Sequence, residues 1–310
     1  MDAEPALLCR GRVLRTEGGL TVAGSGAVRN SPGARVALLA GKGSLPVELA
    51  RRLAEAGTLP LVMSWRSDPE TFKPFARPLV RLRLLRMSRV VREMRRHGAT
   101  QLIMAGLIPK KLLYILPYLL PFVLDPLGIR ALTRGARDDH SLLGSIVSVL
   151  EEEGIAVLPY WQLLPEFMAT EGPMSSRAPT EGELQDVSCG VDVLRVTLPC
   201  SFGQALVVSG GAVVAVEAME GTDAMIERAG TLVRRGVVVK MMRADQDPRY
   251  DIPIIGPRTI EKMRSARLTC LAVEAHRTLI MEPQKTFSLA DSYGIAVWGI
   301  EGAPLSCPSS

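Results

Sequence analysis

The chain has no hydrophobic run long enough to cross a bilayer. Its longest, residues 112–124, holds thirteen residues broken by Pro117 and Pro121, where a membrane helix needs about 20 uninterrupted by such breakers. Paired cysteines are also lacking. Cys9, Cys189, Cys200, Cys270 and Cys307 are scattered, odd in number and never at Cys-x-x-Cys spacing, which argues against a disulfide framework or a zinc site. The opening Met-Asp-Ala-Glu-Pro lacks a basic region and an apolar core, so no secretory signal is expected and a reducing cytoplasm fits best. Internal repeats and low-complexity tracts are absent. There is no strong charge of either sign: a formal charge of +5 suits an anionic substrate or an anionic membrane surface as readily as nucleic acid.

What is present is a chain of 310 residues, 47% hydrophobic, enough for buried cores in about two domains. Residues 1–33 are rich in Gly, Ser and Arg, with only Leu20 to Ala23 strand-like, and read as a flexible extension. Strand-like runs at 35–40, 59–65 and 101–105 alternate with helical patterns at 45–56 and 88–97, the signature of a Rossmann-like parallel sheet. A Ser, Pro, Thr and Gly-rich stretch near Glu171 to Gly182 marks a junction. The expected fold class is therefore α/β in two domains, a Rossmann-like parallel-sheet domain at 34–172 and a second α/β domain at 173–302, with a tail at 303–310.

Gly41-Lys42-Gly43 joins the first strand to the first helix and offers an anion site. It fails as a dinucleotide fingerprint, because Pro46 stands where a third glycine is required and no acid ends the second strand. The run from Arg77 to Arg96 carries eight arginines and one acid, Glu93. A solvated helix face explains it, and attraction to anionic lipid is the sharper alternative. Nucleic acid ranks below both, since the interleaved aromatics that stack on bases are missing. Residues 112–124 are open between a buried or lid-forming segment and an interfacial patch flanked by Lys110-Lys111. Arg137-Asp138-Asp139-His140 opens the next helix, and His97, His140 and His276 show no ligand spacing.

The densest chemistry lies at Glu217 to Arg228. A strand-like run with a Gly-Gly turn delivers Glu217, Glu220, Gly221, Thr222 and Asp223 to the start of an amphipathic helix. Thr222 is the expected N-cap, with Asp223 in the first turn beside free N–H groups and the positive end of the helix dipole. The dipole alone can account for a carboxylate there. Crowding by Glu217 and Glu220 points instead to a cation or a water to be positioned, and spacing leaves both explanations open. Farther on, Gln246, Asp247, Arg249 and Asp251 stand at alternating positions expected to share one face of an extended segment. Arg249 is open between a simple ion-pair ladder and a phosphate-binding guanidinium.

Taken together, Ala215 to Met225, Gln246 to Pro253 and Gly256-Pro257-Arg258-Thr259-Ile260 resemble the LpxI-type UDP-2,3-diacylglucosamine pyrophosphatases of lipid A biosynthesis, over about residues 34–302. The resemblance implies hydrolysis of UDP-2,3-diacylglucosamine to lipid X and UMP, with attack on the phosphorus nearer the sugar. It also implies a Mg²⁺ requirement and an essential Asp223. In that chemistry Glu217 and Glu220 support Asp223. Gly41, Gly43, Gly106, Thr222, Gln246, Arg249 and Asp251 hold substrate, and Asp223 and Asp247 are candidate Mg²⁺ ligands. A diacylated substrate implies peripheral contact with the cytoplasmic face of the inner membrane, no nucleic-acid partner is expected, and a homodimer is left open.

Departures from the pattern are Ser201 where the family usually has aspartate, Ala244 where it often has proline, Lys42 where it prefers a small residue, and the N-terminal extension. A non-catalytic UDP-sugar or lipid-binding protein on the same fold is the second hypothesis, separated by ligand-induced stabilisation without UMP release. A nucleotide-cofactor enzyme is the third, weakened by the incomplete glycine motif.

Overall fold

Short apolar strands, the central ones fully buried and most of those followed by an amphipathic helix, build both halves of the computed structural model, which describes residues 13–16, 19–22, 35–83, 86–106, 125–134 and 139–305. Ahead of them β1 (Val13–Thr16) and β2 (Gly19–Val22) form an antiparallel hairpin. β2 falls on the one strand-like stretch expected there, and β1 is an addition. The apolar segment 112–124 and Asp138 lie outside the described residues. Among the described residues no helix is long and apolar enough to cross a membrane.

The first half contains β3 (Arg35–Ala40), α1 (Leu45–Glu55), β4 (Leu61–Ser64), β5 (Leu79–Arg81), α2 (Met87–Arg96), β6 (Ala99–Ala105), α3 (Pro126–Arg134), α4 (Asp139–Glu152) and β7 (Ala156–Val157). Its five strands are all parallel, in the order β5-β4-β3-β6-β7, as the alternation requires. Helix α1 buries Leu45, Leu49 and Leu53, spaced four apart, against Val36, Leu38 and Ile103. Each such side chain contributes about 1.5–3 kcal/mol. Helix α2 buries Val90, Val91 and Met94 and turns Arg92, Arg95 and Arg96 outward. Arg95 there meets Glu153 at 2.7 Å, while Arg92 and Arg96 face solvent.

The second half follows with β8 (Gly172–Pro173), α5 (Glu181–Thr197), β9 (Ala205–Ser209), β10 (Ala212–Val216), α6 (Thr222–Leu232), β11 (Val237–Lys240), β12 (Ile254–Ile255), α7 (Pro257–Ala266), β13 (Cys270–Glu274), β14 (Leu279–Ile280), α8 (Pro283–Tyr293) and β15 (Ala296–Ile300). Six strands form a mixed sheet, β10-β9-β11-β13-β15-β8, whose centre β11-β13-β15 is parallel. Gly210 and Gly211 close the β9–β10 hairpin with φ of 60° and 78°, which two-residue hairpin turns demand. The Asp186 carboxylate accepts from both of their N–H groups, at 3.0 and 2.6 Å.

The two halves share a core. Ile252, Leu279 and Met281 pack with Leu45, Leu49 and Val36, and Arg249 reaches Glu151 on α4 at 2.6 Å. The segment 246–253 is a series of turns rather than an extended strand. Pro248 cannot donate to a ladder, and the Asp251 N–H instead turns back to the Asp247 carbonyl at 3.3 Å.

Candidate active site

A cavity of about 350 Å³ opens between the halves, lined by Ser44 from the first and by Asp223, Gly256, Arg258, Glu282 and Lys285 among others from the second. Each of these residues stands at a helix N-terminus. Ser44 is the N-cap of α1, Asp223 lies in the first turn of α6, Gly256 and Arg258 open α7, and Glu282 and Lys285 open α8. Four sets of first-turn N–H groups, each at the positive end of a dipole, thus meet one volume that also holds a guanidinium and an ammonium. The wall also carries Glu261 and Glu282, the latter paired with Lys285 at 3.4 Å, so helix ends that attract an anion stand beside three carboxylates that suit a cation.

The wall from the first half owes its shape to glycine. Gly41 N–H donates to the Ala105 carbonyl at 2.8 Å. A Cβ on Gly106 would lie 2.7 Å from the Gly41 carbonyl carbon, and Gly106 has φ +97°, so both the approach and the conformation exclude other residues. Gly43, with φ +116°, then turns the chain so that Ser44 opens α1 at the carboxyl ends of β3 and β6, where open parallel sheets place ligands. Lys42 is exposed beside them.

Asp223 stands at the mouth of its helix, 36% exposed, with Oδ2 2.7 Å from Arg258 Nε. Thr222 is not the N-cap. Gly221, φ 83°, takes that place, and Thr222 is the first helical residue with no side-chain cap bond. Its hydroxyl is directed elsewhere: it donates to Glu217 Oε1 at 3.1 Å and accepts from Lys240 Nζ at 2.9 Å. Glu217 is 5% exposed. It is seated under the loop by Gly203, where any Cβ would overlap the Glu217 carbonyl. Glu220 turns away to Arg228 at 2.8 Å, and that hydrogen bond lowers its carboxyl pKa. The expected mutual repulsion of the three acids is thus relieved by separate partners.

The alternating polar residues of 246–251 serve the loop that carries them. Gln246, buried, donates from Nε2 to the Asp251 carbonyl at 2.6 Å and accepts from the Arg243 N–H at 3.2 Å. Arg249 donates to both Asp247 oxygens, at 2.7–3.0 Å, and to Glu151. These hydrogen bonds raise its pKa still further. Neither Asp247 nor Arg249 is among the residues lining the cavity. Ser201, at φ 59°, accepts a hydrogen bond from Arg243.

Ser44, Arg258, Lys240 and Lys285 had no assigned role in the sequence. Arg258 and Lys285 carried one usable signal, a cation just after a proline at N1 of a helix. Among the described residues no group of three acids, histidines or cysteines is gathered for a metal. Mg²⁺ does not need one, since one or two carboxylates complete its shell with water and substrate oxygens. Asp223, on the cavity wall and paired among the described residues with a 74% exposed arginine, suits that kind of binding.

Comparison with known proteins agrees with this architecture. Sequence models of the LpxI N-terminal and C-terminal domains match residues 35–167 and 170–298. A protein of Caulobacter vibrioides named UDP-2,3-diacylglucosamine pyrophosphatase LpxI is 29% identical over 282 residues, covering 86% of this chain and 98% of that protein. Among solved structures, CobK precorrin-6A reductase aligns with 89% of this chain and 90% of its own, at 12% identity and a TM-score of 0.31. The biotin carboxylase domain of the Hydrogenobacter thermophilus 2-oxoglutarate carboxylase covers 64% of this chain and 40% of its own, at 13% identity and a TM-score of 0.25. Likenesses that slight bear on neither fold nor chemistry. With both domain models matched in order across nearly the whole described chain, the protein belongs to the LpxI family.

Proposed function

We propose that this chain hydrolyses the diphosphate of UDP-2,3-diacylglucosamine to UMP and 2,3-diacylglucosamine 1-phosphate, a step of lipid A synthesis. It would work with Mg²⁺ in the cytoplasm, in peripheral contact with the membrane that holds its lipid. The observation that carries this reading is the convergence of four helix N-termini, Arg258 and Lys285 on Asp223 in a cavity between the halves, whose wall also bears Glu261 and Glu282. A diphosphate needs charge neutralisation on both sides of the bridging oxygen before water can attack. The cavity supplies fixed dipoles and two cations, and because Asp223, Glu261 and Glu282 stand beside them, a bound Mg²⁺ would supply the remaining positive charge.

In this mechanism Arg258 and Lys285 hold phosphate oxygens, and Ser44 with the Gly41–Gly43 turn borders the substrate from the other half. Asp223 exchanges its contact with Arg258 for the attacking water, and it is the residue that would hold Mg²⁺. When bound, Mg²⁺ would withdraw charge from the phosphate oxygens and fix their orientation. The water oxygen bonds to the phosphorus nearer the sugar, the bond from that phosphorus to the bridging oxygen breaks, and UMP departs with that oxygen.

The direct test follows UMP release from UDP-2,3-diacylglucosamine in Mg²⁺ and in chelator, with an unacylated UDP-sugar as competitor. Release that requires Mg²⁺ is expected. Thermal stabilisation by the lipid nucleotide without UMP would instead establish a binding protein on this fold. Arg258→Ala and Lys285→Ala, each removing a charge-assisted contact of about 1.5–3 kcal/mol, are expected to raise KM about tenfold or more. The side chains are 74% and 61% exposed, so melting temperatures should hardly move. Unchanged KM in both variants would put the phosphates elsewhere.

A further inference from the structure

Lys240 is the last residue of β11, a central strand flanked by β9 and β13. It is only 5% exposed, a costly place for an ammonium that lacks a countercharge. Among the described residues no carboxylate lies within ion-pair distance. Its hydrogen bond goes to the Thr222 hydroxyl at 2.9 Å, and that hydroxyl donates to Glu217 at 3.1 Å. The ammonium can only donate and the carboxylate can only accept, so the hydroxyl accepts from Lys240 through a lone pair and gives its one proton to Glu217. The chain of bonds has a fixed polarity and links the ends of β11 and β10 to the first residue of α6. Glu217 Oε2, buried, has no hydrogen-bond partner among the described groups. The carboxylate is therefore held through Oε1 alone, and the arrangement depends on Thr222.

We propose that Lys240 is a positioning residue for the reaction at Asp223, acting through the Thr222 hydroxyl and the Glu217 carboxylate to fix the first turn of α6. Asp223 follows Thr222 directly, and among the described residues its carboxylate has an exposed arginine, Arg258, to orient it. The first turn of α6 is closed by the Met225 N–H on the Gly221 carbonyl at 3.1 Å, and the neighbouring Thr222 adds a buried side-chain anchor to that backbone bond. Gly221, at φ 83°, is a permissive hinge on the other side of Thr222, so the buried bonds supply the constraint that the glycine does not. This inference rests on the hydrolase reading for its kinetic arm only.

The experiment measures steady-state UMP release and amide hydrogen exchange at Thr222–Met225. It compares wild type with Lys240→Met, Thr222→Val, Thr222→Ser and the Lys240→Met/Thr222→Val double variant. Lys240→Met and Thr222→Val are expected to lower kcat about 10- to 100-fold with KM within about twofold, since sub-ångström misplacement acts on chemistry rather than on binding. Exchange in the first turn should quicken about tenfold in both. The double variant should be no worse than either single one, because both cut the same chain of bonds. Thr222→Ser, which keeps the hydroxyl, should restore the rate to within about threefold of wild type.

Wild-type kcat in Lys240→Met, or losses that multiply in the double variant, would overturn the proposal. If Lys240→Met does not fold, Thr222→Val against Thr222→Ser decides it, because neither alters a charge: equal rates in those two would also overturn it. Absence of UMP release from the wild type would remove the hydrolase reading, and the exchange arm would still decide whether Lys240 fixes the turn.

Discussion

Replacing Asp223 by asparagine or alanine is expected to cut UMP turnover about a thousandfold, the largest effect of any single substitution in the chain. The carboxylate is the one acid of the Glu217 to Asp223 stretch that lines the cavity; alanine offers no ligand, and asparagine offers only a neutral oxygen that neither takes a proton from water nor brings negative charge to a cation. Asparagine preserves shape, so its failure would isolate charge as the cause. Folding should survive. Losing the exposed pair with Arg258 costs about 0–1 kcal/mol, and losing an acid at a helix N-terminus about the same. Both variants should therefore melt within a few degrees of wild type, and freed from Asp223, Arg258 should still bind UDP-sugar. Near-normal turnover in both folded variants would mean that some other group aligns the nucleophile.

That residue was legible because its signal is local. A glycine, a threonine and an acid before an amphipathic run specify a helix mouth whatever the rest of the chain does, and the parallel sheet of the first half was readable from alternation for the same reason. The cap was misplaced by one residue. A hydroxyl beside a helix start normally turns onto the helix, but here Glu217, five residues upstream, and Lys240, at the end of β11, outbid the backbone for it, and the second of these has no local signal. The alternation at 246–251 was read with a period of two, though Pro248 removes a ladder donor and already argued against a strand. Arg249 consequently faces Asp247 and Glu151 instead of the cavity. The convergence of α1, α6, α7 and α8 at one volume had no sequence signal at all. It exists only because segments around Ile252 and Leu279 return to pack on α1, a pairing of apolar residues some 200 positions apart that no local pattern encodes.

The second large effect concerns the frame behind the site. Glu183→Gln is expected to destabilise the protein by about 2–3 kcal/mol at neutral pH, with a gap that closes in acid. Glu183 receives Arg177 through both terminal nitrogens at 2.8 and 2.9 Å, Thr269 at 2.6 Å and the Thr180 N–H at 2.8 Å. These bonds tie the start of α5 to the residue before β13. Burial pushes its carboxyl up, but those four donors outweigh it and hold the pKa at about 2. The folded pKa lies below the unfolded one, so the ionised form adds stability above the unfolded value of 4.5. That stability fades as pH falls toward 2, where both states carry the proton. Glutamine keeps an acceptor yet has no charge to titrate. Denaturant unfolding of wild type and Glu183→Gln across pH 7 to 2.5 should show the curves approaching each other below about pH 4.5. A difference that stays constant over that range would mean the four donors support the fold through shape and not through the charge they surround.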